Sequence, residues 1–215
     1  MNLSALIMCA GLSSRFAGTN KLLLDWQGKP ILSHTVSNVL EAGFKEILLV
    51  LGNDKDEIKS ILKGYGNEIR FITNPFYKKG LTSSIQQGVN ASDNQTDGFI
   101  ICLGDMFNVN GSDYKDLAQY HLLNTHEKEL ITLPKVGDKI GNPVIFSKSF
   151  RSRIMRHKDP KGCKLIVSTA RHSVQYFKSN RLEFLQDVDT WDDYQYLLKL
   201  YQKKNSSGYN FNKRN

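Results

Sequence analysis

Short apolar runs alternate with amphipathic stretches along most of this chain, and that alternation leaves few folds open. LSALIMCA (3–10) predicts a buried strand, ILSHTVSNVLEAG (31–43) a helix ending at Gly43, and EILLVLG (46–52) a second strand. DKDEIKSILKGYG (54–66) predicts a helix with Asp54 as its cap, and EIRFIT (68–73) a strand. LTSSIQQGVNA (81–91) reads as a helix, GFIICLGD (98–105) as a strand ending on an aspartate, DYKDLAQYHLLN (113–124) as a helix and ELITLP (129–134) as a strand. Beyond Pro134 the rhythm loosens. NPVIFS (142–147) predicts a strand, KGCKLIVSTA (161–170) a helix, VQYFK (174–178) a strand and DTWDDYQYLLKLYQK (189–203) a last helix. Runs of period two or continuous apolar character alternating with period 3.6 are the mark of βαβ units. The expected fold class is therefore α/β, a Rossmann-like three-layer sandwich with a mostly parallel sheet. Ligands in such sheets bind beyond the carboxyl ends of the strands, which directs attention to the loops after Ala10, Thr73 and Leu103.

A chain of 215 residues with 40% hydrophobic content fits one compact domain. Residues 1–203 are expected to form it, with 204–215 a disordered basic tail. Half of the net charge of +8 comes from Lys203, Lys204, Lys213 and Arg214 near the end, so the charge by itself does not point to nucleic acid. No run of about eighteen apolar residues predicts a membrane span, and the start lacks a secretory signal pattern. Cys9, Cys102 and Cys163 have neither disulfide nor zinc spacing, which suits a reducing, cytoplasmic setting. The five histidines likewise show no metal-ligand spacing.

The stretch MCAGLSSRFAGTNKLLL (8–24) places glycines, hydroxyls and two cations between two apolar runs. Backbone amides of such a turn bind phosphate oxygens. Ser13 and Ser14 add donors, Arg15 can fork onto two oxygens and Lys21 supplies a point charge. The spacing is neither that of a P-loop nor the GxGxxG of dinucleotide enzymes. Asp105, closing an apolar strand, is a candidate ligand for a hard divalent cation or a cap for the segment after it. Asp187 and Asp189, two apart, face one side if the segment is extended, whereas Asp189 before Thr190 can equally cap the last helix. Thr82 and Ser83 offer a cap for the helix at 81–91. The cations from Lys148 to Lys164 read as a solvated helix face.

Six segments, in order, resemble the MobA-like nucleotidyltransferase family. CAGLSSRF with NKLLLDWQGKPIL is similar to its AAGxSxRMGxxK and G-x-P-L signature, and NPFYKKGLTSSIQQGV to its NPxxxxGLxxS segment. GDMFNV stands where the family has GDMPxV, GNPVIFS where it has GHPV or GNPV, DPKGCKLIV where it has GDxGAR, and DVDTWDD where it has DIDTPED. Phe16 replaces the family Met, Phe107 and Trp191 replace prolines, Asn142 replaces a common His, and one extra residue separates Arg15 from Lys21.

The resemblance implies a nucleotide-diphospho-sugar transferase type of sheet and transfer of a nucleoside monophosphate with release of pyrophosphate. The Ala10-Gly11-Leu12-Ser13-Ser14-Arg15 run is similar to the cytidylyl-transferring version, which implies CTP as donor, Mg²⁺ as cofactor and molybdopterin cofactor as acceptor. The product would pass to a molybdenum hydroxylase. It further implies Arg15 and Lys21 on the triphosphate and Asp105 and Asp189 as metal ligands with Asp187 beside them. Asn74, Gly80, Leu81, Ser83 and Ser84 would recognise base and ribose, and Asn142 and Pro143 would lie near the acceptor. Transfer to a sugar phosphate, use of GTP, and a non-catalytic cofactor carrier are the alternative readings.

Overall fold

In the computed structural model, which describes residues 1–124 and 129–206, one mixed sheet organises the chain. The elements in order are β1 (Leu3–Cys9), β2 (Asp25–Trp26), β3 (Lys29–Pro30), α1 (Ile31–Glu41), β4 (Glu46–Leu51), α2 (Lys55–Ile61), β5 (Arg70–Thr73), α3 (Leu81–Ala91), β6 (Gly98–Leu103) and α4 (Gly111–Asn124). There follow β7 (Ile131–Val136), β8 (Lys139–Ile140), β9 (Val144–Ser147), α5 (Arg151–Arg156), α6 (Lys164–Thr169), β10 (Val174–Lys178) and α7 (Trp191–Ser206). The strand order is β10-β7-β9-β6-β1-β4-β5, with β8 paired to β7 and a separate β2–β3 hairpin. β1 pairs in parallel with both β4 and β6, while β9 runs antiparallel to β6 and β7.

Every residue of β1 is buried, because helices cover both faces of the sheet at its centre. Alternation then sorts its side chains. Leu3, Ala5, Ile7 and Cys9 join Leu32, Val36 and Val39 of α1 and Tyr114, Leu117 and Ala118 of α4 in one core. Leu6 and Met8 join Ile85 and Val89 of α3, Ile154 of α5 and Ile166 of α6 in the other. A third, smaller core gathers Phe16, Trp26, Phe107, Val188, Tyr194 and Leu197 around α7. Cys9, Cys102 and Cys163 are free and buried, and burial pushes their thiols up, that of Cys163 to about 12. Among the described residues no helix is long and apolar enough to cross a membrane.

Several local expectations are corrected. The helix expected over 54–66 stops at Ile61 and gives way to a 3₁₀ segment, because Gly64 and Gly66 offer no side chains to extend its buried face. Asp54 has a left-handed φ of 53° and makes no cap bond. Its carboxylate accepts instead from Asn20 at 2.9 Å. The stretch 161–170 becomes helical only at Lys164. Arg151 is no solvated cation: its guanidinium donates to the Val89 carbonyl, the Ser92 hydroxyl and the Asp93 carbonyl, closing the C-terminal end of α3. α7 continues to Ser206, so the first residues of the expected tail are helical, and the remainder of that expectation lies outside the described residues.

Candidate active site

The loop leaving β1 is built by its own polar residues. Ser13 takes a left-handed φ of 47° and Ala17 one of 49°, bracketing a 3₁₀ turn over Ser14–Phe16. Ala17 and Gly18, both at positive φ, turn the chain so that Phe16 is buried while Arg15 stays exposed. Asn20 ends the loop: its side chain accepts from Leu22 N at 3.0 Å and caps the turn that carries Lys21. Ser13 Oγ accepts from Lys21 N at 3.2 Å, so its hydroxyl fastens the loop to that same turn.

Asp105 follows β6 by two residues and is 4% exposed. Thr35 and Asn38 of α1, polar residues facing inward, donate to the carbonyls of Gly104 and Phe107 on either side of it. Lys21 Nζ lies 2.5 Å from Asp105 Oδ2 and 3.1 Å from Asp189 Oδ1, and Arg15 reaches Asp189 Oδ2 at 3.3 Å. Burial works to lower the Lys21 pKa, but Asp105, by charge and hydrogen bond, and Asp189 outweigh it and hold the ammonium above the ordinary lysine value. Burial likewise raises Asp189, yet Lys21 and Arg15 overcome it and pull the carboxyl below its usual range. Asp187 moves the other way: burial, then the charges of Asp105 and Asp189, push its carboxyl up.

These groups line a cleft of about 340 Å³ at the carboxyl ends of β1 and β6. Of the expected residues, Ala10, Gly11, Leu12, Ser13, Lys21, Gly80, Leu81, Ser84, Asp105, Asp187 and Asp189 line it, and Arg15 joins through Asp189. Asp187 and Asp189 meet there although their segment is not a strand. Asp189 is not the cap of α7. Thr190 accepts from Asp193 N, and Asp193 accepts from Thr190 N, a reciprocal cap that leaves the Asp189 carboxylate to the cations.

Other expected residues stand around the cleft. Asn74 is buried beneath it, donating to the hydroxyls of Ser83 and Ser84 and accepting from Phe76 N. Ser83 donates to the carbonyls of Phe76 and Gly80, so it serves its own loop. Neither Thr82 nor Ser83 caps α3, because its N-cap is Gly80 at φ 99°, where a side chain would meet the Pro160 carbonyl at 2.6 Å. Thr82 Oγ1 is bonded to the Asp159 carbonyl and accepts from Gly162 N. Ser14 is exposed on the loop. Asn142, joined to Pro143 by a cis peptide, lines a second cavity of about 440 Å³ with Lys139, Phe184 and Gln186. Asp187 lines both cavities.

Sequence reading missed Lys78, a further cation of the cleft wall, whose signal was the Lys-Lys pair just before Gly80. It also missed Tyr77, which packs against Gly52 under the cleft. Among the described residues no three His, Cys, Asp or Glu side chains form a protein-only metal cage. The donor set still fits a hard divalent cation, which takes one or two carboxylates and completes its shell with phosphates and water.

The chain is similar over 87% of its length to the bifunctional protein GlmU of Clostridioides difficile, at 22% identity, and spans about 40% of that protein. It is 29% identical over 139 residues to the 2-C-methyl-D-erythritol 4-phosphate cytidylyltransferase of Prochlorococcus marinus, 63% of this chain and 59% of that one. Among solved structures, Rv0371c of Mycobacterium tuberculosis superposes with a TM-score of 0.80 at 24% identity, covering 92% of this chain and 97% of the other. Its manganese complex gives 0.78 at 22%, covering 93% and 99%. Molybdopterin-guanine dinucleotide biosynthesis protein A of Archaeoglobus fulgidus gives 0.67 at 16%, again covering 93% and 99%. The α/β sandwich is thus shared with these proteins. The model of the MobA-like NTP transferase domain matches residues 5–184, and with that match, on this sheet and around this cleft, the chain belongs to the MobA-like NTP transferase family.

Proposed function

We propose that this chain transfers CMP from CTP to the phosphate of a molybdopterin cofactor, releasing pyrophosphate, with Mg²⁺ bound at Asp105 and Asp189 beside Asp187. The observation that carries the reading is the convergence of Lys21, Arg15 and three carboxylates on one cleft whose neighbour shares Asp187. The acceptor's phosphate oxygen attacks the α-phosphorus, and the bond from that phosphorus to the bridging oxygen of the leaving pyrophosphate breaks. A phosphate monoester has its second pKa near about 6, so the nucleophile is already ionised and no general base is needed. Positioning and charge neutralisation do the work.

The loop Ala10–Ser14, with Arg15, receives the β and γ phosphates, and Lys21 faces the charge that grows between α and β. Gly11 supports this. Its φ is not positive and a side chain there would meet nothing within 4 Å, so the fold itself does not require glycine; a closely approaching phosphate does. The N-terminus of α3 at Gly80–Leu81, uncapped by any side chain and facing the cleft, suits the nucleotide, with Ser84 beside it. A bound Mg²⁺ would draw charge from the α-phosphate and orient the leaving group. The cavity at Asn142 and Lys139, which shares Asp187 with the nucleotide cleft, suits the acceptor. CTP is named as donor because the Ala10–Arg15 run resembles the cytidylyl-transferring version of the family, and on the same resemblance the product would pass to a molybdenum hydroxylase.

The test is pyrophosphate release with Mg²⁺, each nucleoside triphosphate in turn, and molybdenum cofactor as acceptor. CTP-selective, acceptor-dependent release supports the proposal. Release with GTP, or with a sugar phosphate in place of the pterin, replaces the donor or acceptor named here. No release with any pair leaves a nucleotide or cofactor carrier.

A further inference from the structure

Three charged residues of the cleft each have an aromatic ring one or two positions downstream: Arg15 and Phe16, Asp105 and Phe107, Asp189 and Trp191. These rings stand at the three places where the chain departs from its family motifs by gaining an aromatic. They also meet. Phe16 lies 5.4 Å from Trp191, Trp191 lies 5.8 Å from Tyr194, and Phe107 lies 4.6 Å from Trp26, all at tilted or edge angles. Phe16, Phe107, Trp26 and Tyr194 belong to the third core. The loop after β1 and the start of α7 are therefore joined by the ion pairs of Asp189 with Arg15 and Lys21 and, beside the Arg15–Asp189 rung, by the Phe16–Trp191 ring contact.

The Arg15–Asp189 rung and the ring contact differ in what a nucleotide does to them. Arg15 and Asp189 are both more than half exposed, and such a pair is worth at most about 1 kcal/mol, so incoming phosphates compete for it readily. The ring contact carries no charge and persists. Trp191 is 39% exposed, while Phe16 beneath it is 1% exposed. The indole is thus a cover over the loop's buried aromatic ring rather than part of a sealed core.

We propose that the Phe16–Trp191 contact is a brace that keeps the phosphate loop in register with Asp189 while the charged rung opens, making Trp191 a positioning residue that acts through Arg15 and Asp189. Its effect on transfer rests on the function proposed above; the brace itself does not.

The test compares wild type with Trp191→Ala, Trp191→Phe and Phe16→Leu, by amide hydrogen exchange and by binding of inorganic pyrophosphate with Mg²⁺. In Trp191→Ala and Phe16→Leu, exchange across residues 11–20 rises at least tenfold with β1 unchanged, and pyrophosphate binding weakens about tenfold. Trp191→Phe keeps both within about threefold of wild type. Unchanged loop exchange in Trp191→Ala, or a Trp191→Phe as impaired as the alanine variant, overturns the brace. If Trp191→Ala also exposes β1, Phe16→Leu decides, since leucine fills the core without the ring. A wild type that binds no pyrophosphate and transfers nothing defeats the functional reading, and loop exchange still decides the brace.

Discussion

The ammonium of Lys21 sits 2.5 Å from the buried carboxylate of Asp105, a contact between two loops that leave adjacent parallel strands. β1 pairs with β6 from Leu3–Gly98 to Met8–Leu103, so the carboxyl ends of both strands arrive at nearly one level, and the charges meet because the register brings them there. The pair fixes the cation at the mouth of the central strands before any substrate arrives.

Lys21→Ala is expected to lower turnover by about 100-fold or more, since it removes a preorganised charge at the leaving group. The KM for nucleotide should change far less, because Arg15 and the loop amides remain. Steady-state pyrophosphate release decides it: loss confined to KM, or equal loss in both constants, contradicts the role given to Lys21. The same variant leaves Asp105 buried without its partner and should lose about 3 kcal/mol of stability in chemical denaturation without metal.

Asp189→Asn frees Arg15 and Lys21 from a competing carboxylate. Binding of inorganic pyrophosphate in the absence of divalent metal should tighten about fivefold, the worth of an exposed pair. Metal-dependent transfer should fall at least tenfold. Calorimetric titration with and without Mg²⁺ separates the two effects, and weaker metal-free binding would argue against Asp189 as the group that holds these cations.

Gly11→Ala should leave the melting temperature within about 1 °C, because the added methyl meets nothing in the protein and φ is ordinary. Nucleotide affinity should fall at least tenfold. A variant that binds as wild type does would remove the case for close phosphate approach at Gly11.

His121 carries a pH dependence remote from the cleft. It is fully buried on α4, 2.7 Å from Thr132 Oγ1, and burial pushes its pKa down from 6.5 to about 4. The unfolded chain therefore binds a proton at His121 that the folded chain refuses. Stability is lost as pH falls from about 6.5 towards 4, by up to about 3 kcal/mol in total, and is unaffected above that window. Urea unfolding at pH 7, 5.5 and 4.5 should show a steeper decline for wild type than for His121→Leu. Parallel curves would exclude the histidine as the cause.

The βα alternation was legible because the central strands are buried on both faces and so appear as near-continuous apolar runs, as in LSALIMC and GFIICL. The loop after β1 stood out because two cations, two serines and a glycine between such runs are more than a simple turn calls for. The β2–β3 hairpin was not, being too short for any period, and Asp54 misled because a carboxylate before a helix is an excellent cap unless something else claims it; Asn20, far away in sequence, does. Residues alone named Lys21, Asp105, Asp187 and Asp189 as chemically suitable. Only the tertiary structure decided which of them meet, that Thr190 rather than Asp189 caps α7, that Asn74 supports the cleft from below, and that Phe16 and Phe107 share a core at whose edge Trp191 touches Phe16. The reason is physical: periodicity reports how one segment divides itself between water and core, whereas a site assembled from the ends of β1, β6 and the approach to α7 depends on strand register and on packing between segments that carry no local record of each other.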